Sequence, residues 1–251
     1  MTRCRSPLQN GTSALRGLLC LIAFLLYHTG VSAQDNTLTA EEEAAGWELL
    51  FDGEDLGKWR NFKSDGLNAQ WVAENGTMKL TGKGGGDILT RRTYANFDLR
   101  LHWQVSEGGN SGIFILVDEE GKFIYSRAPE IQILDNERHS DRKLDTHRSG
   151  SLYDMVAAHP SSQKPAGEWN QVRILFRDGF LQVWQNEVKT VNITIGDGTW
   201  NTLFEASKFS GGLESLFSDF KGFAEGRSGH IGLQDHSDPV AFRNLKILEL
   251  K

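Results

Sequence analysis

Phe97-Asp98-Leu99-Arg100-Leu101-His102-Trp103-Gln104-Val105 is the stretch that decides the fold class. Its apolar side chains occupy every second position and polar ones fill the gaps. That period belongs to a β-strand with one face in a core and the other toward water. The same reading extends outward in both directions. Trp71–Glu74 and Thr77–Leu80 flank Asn75-Gly76, the commonest two-residue hairpin turn. Val172–Arg177 and Phe180–Gln185 flank Asp178-Gly179 in the same way. Further strands are expected at Trp47–Phe51, Asp87–Arg91, Gly112–Asp118, Glu130–Leu134, His230–Gln234 and Val240–Glu249. Short strands with frequent glycine turns and few helices predict an all-β, two-sheet antiparallel β-sandwich.

Two helical segments interrupt this pattern. Thr39-Ala40-Glu41-Glu42-Glu43 reads as a capping threonine and one short helix in a polar lead, residues 34–46. Trp200, Leu203, Phe204 and Phe209 recur at roughly helical spacing, and Gly211-Gly212 and more aromatics up to Phe223 follow. This is expected to be a long insertion with one short helix lying over the sheet, of the kind that is commonly functional. No internal repeat is visible, so residues 47–251 are expected to form a single domain.

The N-terminus reads as an export signal. Arg3, Arg5 and Arg16 precede an apolar run, Leu18–Tyr27, and Val31-Ser32-Ala33 supplies the small residues of a cleavage site. The run is too short to span a bilayer, which takes about 20 residues. Cleavage after Ala33 removes 33 residues and three positive charges, leaving 218 residues and a net charge of −9. Both cysteines, Cys4 and Cys20, leave with the signal, so the mature chain has no disulfide. A domain of that size can rely on its own core. Its acidity argues against nucleic acid and anionic membrane as partners. The expected location is exported, periplasmic or extracellular.

The candidate chemistry centres on Pro129-Glu130-Ile131-Gln132-Ile133-Leu134-Asp135. In a strand, Glu130 and Gln132 share one face while Ile131 and Ile133 share the other. A β-bulge at Leu134 would return Asp135 to the polar face, giving two carboxylates around an amide. Paired carboxylates are the usual equipment for breaking glycosidic bonds. His230-Ile231-Gly232-Leu233-Gln234-Asp235-His236 has the same form: Ile231 and Leu233 point inward, Gln234 and His236 outward. Gly232 leaves room for a ligand to approach the sheet. Glycines in Glu107-Gly108-Gly109-Asn110-Ser111-Gly112 can place Glu107 and Asn110 beside a ligand, although a plain turn explains them as well. Asp135-Asn136-Glu137-Arg138-His139-Ser140-Asp141 is dense in oxygen and imidazole donors but matches no EF-hand or zinc spacing. A Gly-Xaa-Ser-Xaa-Gly elbow and a P-loop are both absent from the sequence.

At these residues the chain resembles the 3-keto-disaccharide hydrolase family. The resemblance is carried by Trp47-Glu48-Leu49-Leu50-Phe51-Asp52-Gly53 with Trp59, by Glu107–Gly112, by Pro129–Asp135 and by Glu168-Trp169-Asn170. Ser207-Lys208-Phe209, Gly229–His236 and Val240-Ala241-Phe242-Arg243-Asn244-Leu245 add to it. The matches run in order over nearly the whole mature chain. The resemblance implies a concanavalin-like jelly roll with one sheet open to a carbohydrate, and cleavage of glycosides first oxidised at C3. Glu130–Asp135 is also similar to the laminarinase-type strand Glu-Xaa-Asp-Xaa-Xaa-Glu, with Gln132 in place of the central Asp and Asp135 in place of the last Glu.

A ketone at C3 acidifies the C2 proton, so a base can remove it and expel the C1 substituent, and water addition completes net hydrolysis. That chemistry needs a base, an acid for the leaving group and an electrophile for the enolate oxygen. Glu130, Asp135 and His139 are the candidate catalytic residues, each able to serve as base. Glu107, Asn110, Gln132, Tyr153, Lys208, Gln234 and His236 are the candidate substrate-binding residues. The electrophile is Lys208 or a divalent cation, for which no ligand set is assigned. A laminarinase-like hydrolase and a non-catalytic carbohydrate-binding module are the competing readings.

Overall fold

Local signals set the element boundaries. The Thr39 hydroxyl accepts from the Glu42 N–H at 3.2 Å while the Glu42 carboxylate accepts from the Thr39 N–H. This reciprocal cap starts α1 (Ala40–Ala45), and Gly46 ends it in the left-handed region at φ 89°. The structure, a computed structural model, describes residues 35–211 and 220–251. The export signal expected over residues 1–33 lies outside the described residues, as does the segment 212–219 of the insertion.

The strands are β1 (Glu48–Leu49), β2 (Trp59–Asn61), β3 (Trp71–Glu74), β4 (Thr77–Leu80), β5 (Ile88–Thr90) and β6 (Phe97–Val105). There follow β7 (Asn110–Val117), β8 (Glu130–Leu134), β9 (Asn170–Arg177), β10 (Phe180–Gln185), β11 (Val188–Thr194), β12 (His230–Leu233) and β13 (Val240–Glu249). Among the described residues they form two antiparallel sheets. The larger has the order β11-β10-β9-β6-β13-β4-β3, with β1 also paired to β13. The smaller has the order β2-β5-β12-β7-β8. The expected two-sheet sandwich is therefore the observed fold, with Asn75-Gly76 and Asp178-Gly179 at the tips of its hairpins.

The inner face of β6 supplies the middle of the core. Phe97, Leu99, Leu101, Trp103 and Val105 are all buried, and so are Ile113, Ile131, Ile133, Ile231 and Leu233 in the same cluster. Truncating a side chain such as Trp103 there would cost about 3–5 kcal/mol. On the outer face, Arg100 and Arg173 sit directly opposite each other across β6 and β9. Like charges in register destabilise a sheet, and Asp98 answers both, reaching Arg173 at 2.8 Å and Arg100 at 3.1 Å.

Some expectations are corrected. β2 and β11 were not anticipated from the pattern, and β1 covers only Glu48–Leu49 of the expected Trp47–Phe51. β7 begins at Asn110, which shortens the glycine loop before it. No bulge occurs at Leu134: β7 and β8 pair without a slip from Asn110↔Leu134 to Phe114↔Glu130.

The insertion contains α2 (Gly198–Ala206), capped by Asp197 accepting from the Trp200 N–H at 2.7 Å, and a 3-10 turn at Lys208–Ser210. Trp200, Phe209, Phe220 and Phe223 belong to the core, with the Phe209 and Phe223 rings stacked at 4.1 Å. Ser207 caps the 3-10 turn, which delivers Lys208 to the outer face of the smaller sheet.

Candidate active site

Period two in β8 turns Glu130 and Gln132 away from the core, onto the outer face of the smaller sheet. Both are nonetheless buried, Gln132 at 1% and Glu130 at 8% exposure, because loops and the insertion cover that face. Gly112, directly opposite Gln132 on β7, makes room for the carboxyl: a Cβ there would stand 2.1 Å from Glu130 Oε1. Gln234 follows β12, its N–H donating to the Gly112 carbonyl at 3.0 Å, which aligns it on the same row.

These side chains line a cavity of about 160 Å³. It brings together seven of the ten expected site residues: Asn110, Glu130, Gln132, Tyr153, Lys208, Gln234 and His236. Tyr125 and Asp141 complete the lining. Asn110 Oδ1, Gln132 Oε1 and Gln234 Oε1 are buried without a hydrogen-bond partner. A buried amide oxygen without a partner is costly, and three of them around one cavity suit the hydroxyl donors of a sugar.

Glu130 is the electrostatic centre. Burial pushes its carboxyl up to about 8; the Lys208 and His147 charges oppose that shift, while Asp87 and Asp141 reinforce it. Asp87 itself is pushed up to about 6 by burial, which outweighs the lowering by the Asp235 N–H bond, and the Asp235 charge adds a smaller push upward. At neutral pH Glu130 is therefore mostly a neutral acid with an accessible ionised form. Lys208 lies with its Nζ 4.4 Å from the centre of the Tyr153 ring.

The second carboxylate of the cavity is Asp141, from a 3-10 turn at Ser140–Lys143. Its Oδ2 accepts from the Tyr153 hydroxyl at 3.1 Å and its Oδ1 lies 3.0 Å from His147 Nδ1. The far side of that imidazole meets Asp154, with Nε2 2.7 Å from Oδ1, and Asp154 Oδ2 accepts the Lys208 N–H at 2.7 Å. The His147 ring also stacks on Tyr153 at 4.2 Å. Burial alone would push the His147 imidazolium down and both carboxyls up. Their mutual contacts outweigh it, so His147 is raised and Asp141 and Asp154 are lowered. Tyr153 is raised by burial and by the Asp141 and Glu130 charges, so it stays a phenol. Asp154 holds a left-handed backbone at φ 58° to make these contacts.

Three expected residues do not line the cavity. Asp135 is wholly buried and turned away, accepting from Gly108 N–H at 2.7 Å and Glu137 N–H at 2.9 Å, so it ties two turns together. Glu107 points outward with its side chain 74% exposed, 3.5 Å from Arg138. His139 stands at the mouth, its ring centre 6.0 Å from that of His236. With Asp238 these two imidazoles form a group of donors that could hold a metal ion. Gly232 is also corrected: the space over it is filled by Ile124, which lies 2.7 Å from where a Cβ would stand.

Asp141, Tyr125, His147 and Asp154 were not singled out from sequence. Asp141 closes the donor-rich run Asp135–Asp141, which pointed to it without selecting it. The others lie in segments without period, where only the folded contacts reveal them.

A buried, protonatable carboxyl, a lysine and unpaired amide oxygens on the face of a β-sandwich define a carbohydrate-active enzyme. The chain belongs to the 3-keto-alpha-glucoside-1,2-lyase-like domain family, whose model matches residues 46–248. It is 36% identical over 239 residues to a 3-keto-disaccharide hydrolase of Bacteroides thetaiotaomicron, covering 86% of this chain and 82% of that one. It is similar to a crystal structure of a candidate glycosyl hydrolase from Parabacteroides distasonis, with TM-score 0.77 and 30% identity, covering 87% of this chain and 100% of that one. A second candidate glycosyl hydrolase from the same organism matches with TM-score 0.63 and 26% identity, over 81% of this chain and 99% of the other. Glycoside cleavage is the activity these relationships assign to the chain.

Proposed function

We propose that the chain cleaves 3-keto-glycosides by proton abstraction at C2 and elimination of the C1 substituent, followed by addition of water. The observation that carries this reading is the isolation of Glu130 as the one cavity carboxyl raised toward neutrality. Double displacement at an ordinary glycoside wants a second carboxylate across the bond. The next residue on that face is the amide Gln132, Asp135 is turned into the turns behind the strand, and the other cavity carboxylate, Asp141, is engaged by the Tyr153 hydroxyl and by His147.

A group with a pKa near the working pH is well suited to both halves of a proton transfer. The ionised fraction of Glu130 takes the C2 proton, and the C–H electron pair becomes the C2–C3 double bond of an enolate. Collapse of the enolate breaks the C1–O bond, and the leaving oxygen takes up a proton. Water then adds at C1 with a proton returned to C2, which restores the saturated keto sugar. Lys208 supplies positive charge to the cavity, and the three amide oxygens hold the sugar hydroxyls. Export through the signal of residues 1–33 belongs to the same proposal.

Incubation with matched glucosides, plain and 3-keto, followed by product analysis tests the reading. Cleavage confined to the 3-keto compound is expected. Equal cleavage of both would restore an ordinary glycosidase.

A further inference from the structure

At the mouth of the cavity, the ends of β8 and β12 converge through the loops that follow them. His139 comes from the first loop, His236 and Asp238 from the second, and each offers one ligand atom within 4.8 Å of the others. They do not satisfy one another. The His139 and His236 rings meet edge-on with centres 6.0 Å apart, and His236 Nδ1 is 3.8 Å from Asp238 Oδ2, too long for a hydrogen bond. Asp238 is held in place from behind, its Oδ2 accepting from the Asn110 N–H at 3.0 Å. The Asn110 side chain, only 5% exposed, leaves Oδ1 unpartnered in the cavity that His236 also lines. Three donor groups gathered without hydrogen bonds to one another, beside an orphaned buried oxygen, suit a ligand that accepts electron pairs.

The geometry points to a divalent transition-metal site formed by His139, His236 and Asp238, with open positions facing the ketone and an adjacent hydroxyl of the substrate. This rests on the 3-keto reading for the identity of the sugar, but not for the existence of the site. Two imidazoles and one carboxylate suit Mn²⁺, Fe²⁺, Co²⁺ or Zn²⁺, whereas Mg²⁺ and Ca²⁺ prefer oxygen ligands alone. Three protein ligands leave coordination positions free, as a Lewis-acid site requires. The cation takes the charge that develops on the C3 oxygen when Glu130 removes the C2 proton, and it gains no electrons in the process.

His139 supplies a structural signature. Its Nδ1 accepts from the Asp141 N–H at 3.1 Å, so the neutral ring carries its proton on Nε2. Coordination through Nε2 moves that proton to Nδ1 and breaks the Asp141 bond. Loading the site therefore removes the cap on the turn that carries Asp141.

The test is titration of Co²⁺ into chelator-treated protein, followed by calorimetry and by the visible absorption of the bound ion. One Co²⁺ per chain is expected, weakened on the order of 100-fold or more in His236→Ala and in Asp238→Asn, since ligand loss exceeds the effect of removing an outer hydrogen bond. Melting curves confirm that each variant is folded, and His139→Gln provides a third. Nitrogen chemical shifts of His139 should report the tautomer change on loading. Wild-type binding no tighter than that of the variants overturns the site. An absorption band unmoved by a 3-keto glucoside overturns coordination of the substrate. Full-rate cleavage after verified metal removal overturns the role of the cation and leaves the proton transfer by Glu130 standing. Loss of cleavage in Glu130→Gln with Co²⁺ still bound separates the two in the other direction.

Discussion

The Glu130 carboxyl occupies the space that a side chain at residue 112 would need: an ideal Cβ on Gly112 would stand 2.1 Å from Glu130 Oε1 and 2.8 Å from its carboxyl carbon. The two strands are neighbours in register, so the glycine is part of the site without touching substrate. Gly112→Ala should displace the carboxyl while leaving the strand pairing intact, since the displaced group is the end of a side chain. Turnover should fall on the order of 10²-fold, the scale of a mispositioned catalytic group, with secondary structure by circular dichroism unchanged. A variant of normal activity would show that Glu130 need not lie where it does.

Glu130 also links activity to stability. Its folded pKa of about 8 lies above the ordinary 4.5, so between those values the folded chain holds a proton that the unfolded chain has lost. Stability from this group is full below about 4.5 and is lost as pH rises through about 8. Glu130→Gln removes the dependence. The variant should melt at a similar temperature to the wild type at pH 4 and higher than it at pH 9, by a difference on the order of a few kcal/mol in stability. It should lose on the order of 10²-fold or more in turnover. Paired melting curves across that range check the sign.

His147 joins the site to the insertion. Held between Asp141 and Asp154, it keeps one carboxylate in the cavity, and the other receives the Lys208 N–H. His147→Gln should cost about 1–3 kcal/mol, the range for hydrogen bonds to charged groups. The His147 pKa is raised, so the stabilisation is full below the ordinary imidazole value and fades as pH rises through the folded one. The gap between variant and wild type should therefore narrow in alkali. A gap constant with pH would mean the ring acts by packing on Tyr153 alone.

Much of this was legible beforehand, for physical reasons that also mark where legibility ends. Period two gave β6 and the two faces of β8, and with them Glu130 and Gln132. In β11 the period slips, because Thr190 and Val191 are both buried opposite the bulge at Val183 and Trp184, and the strand was missed. Asp135 was placed by a bulge that the continuous β7–β8 register excludes, so the chain turns there and takes the carboxylate with it. Asp141, His147 and Asp154 come from 3-10 turns and a left-handed residue. Such segments carry no period, and the pairing of their charges exists only once the chain has closed on itself.

The N-terminal reading leads to a separate prediction. Protein recovered from its native host should begin at or near Gln34, as mass spectrometry will show. Retention of Cys4 and Cys20 in the mature chain would remove the export proposal, and a diacylglycerol on Cys20 would make the chain a lipoprotein.

The oxidation state of the substrate should matter more than the identity of its sugar. The cavity of about 160 Å³ is on the scale of a single sugar ring. Within it, Glu130 is the carboxyl proposed to transfer the proton, and the amide Gln132 stands where a retaining glucanase would carry an acid. Elimination makes the ketone a chemical requirement, because without it the C2 proton is too weak an acid for any carboxylate to remove. A matched plain glucoside should therefore remain uncleaved under conditions where its 3-keto counterpart is consumed, and deuterium from solvent should appear at C2 of the product. The label is the sharper measurement once exchange in 3-keto sugar incubated without enzyme is subtracted, since a direct displacement at C1 does not itself break the C2–H bond. Cleavage of the 3-keto compound without label at C2 would keep the substrate and discard the mechanism, and Glu130 would then act as acid to the leaving group alone.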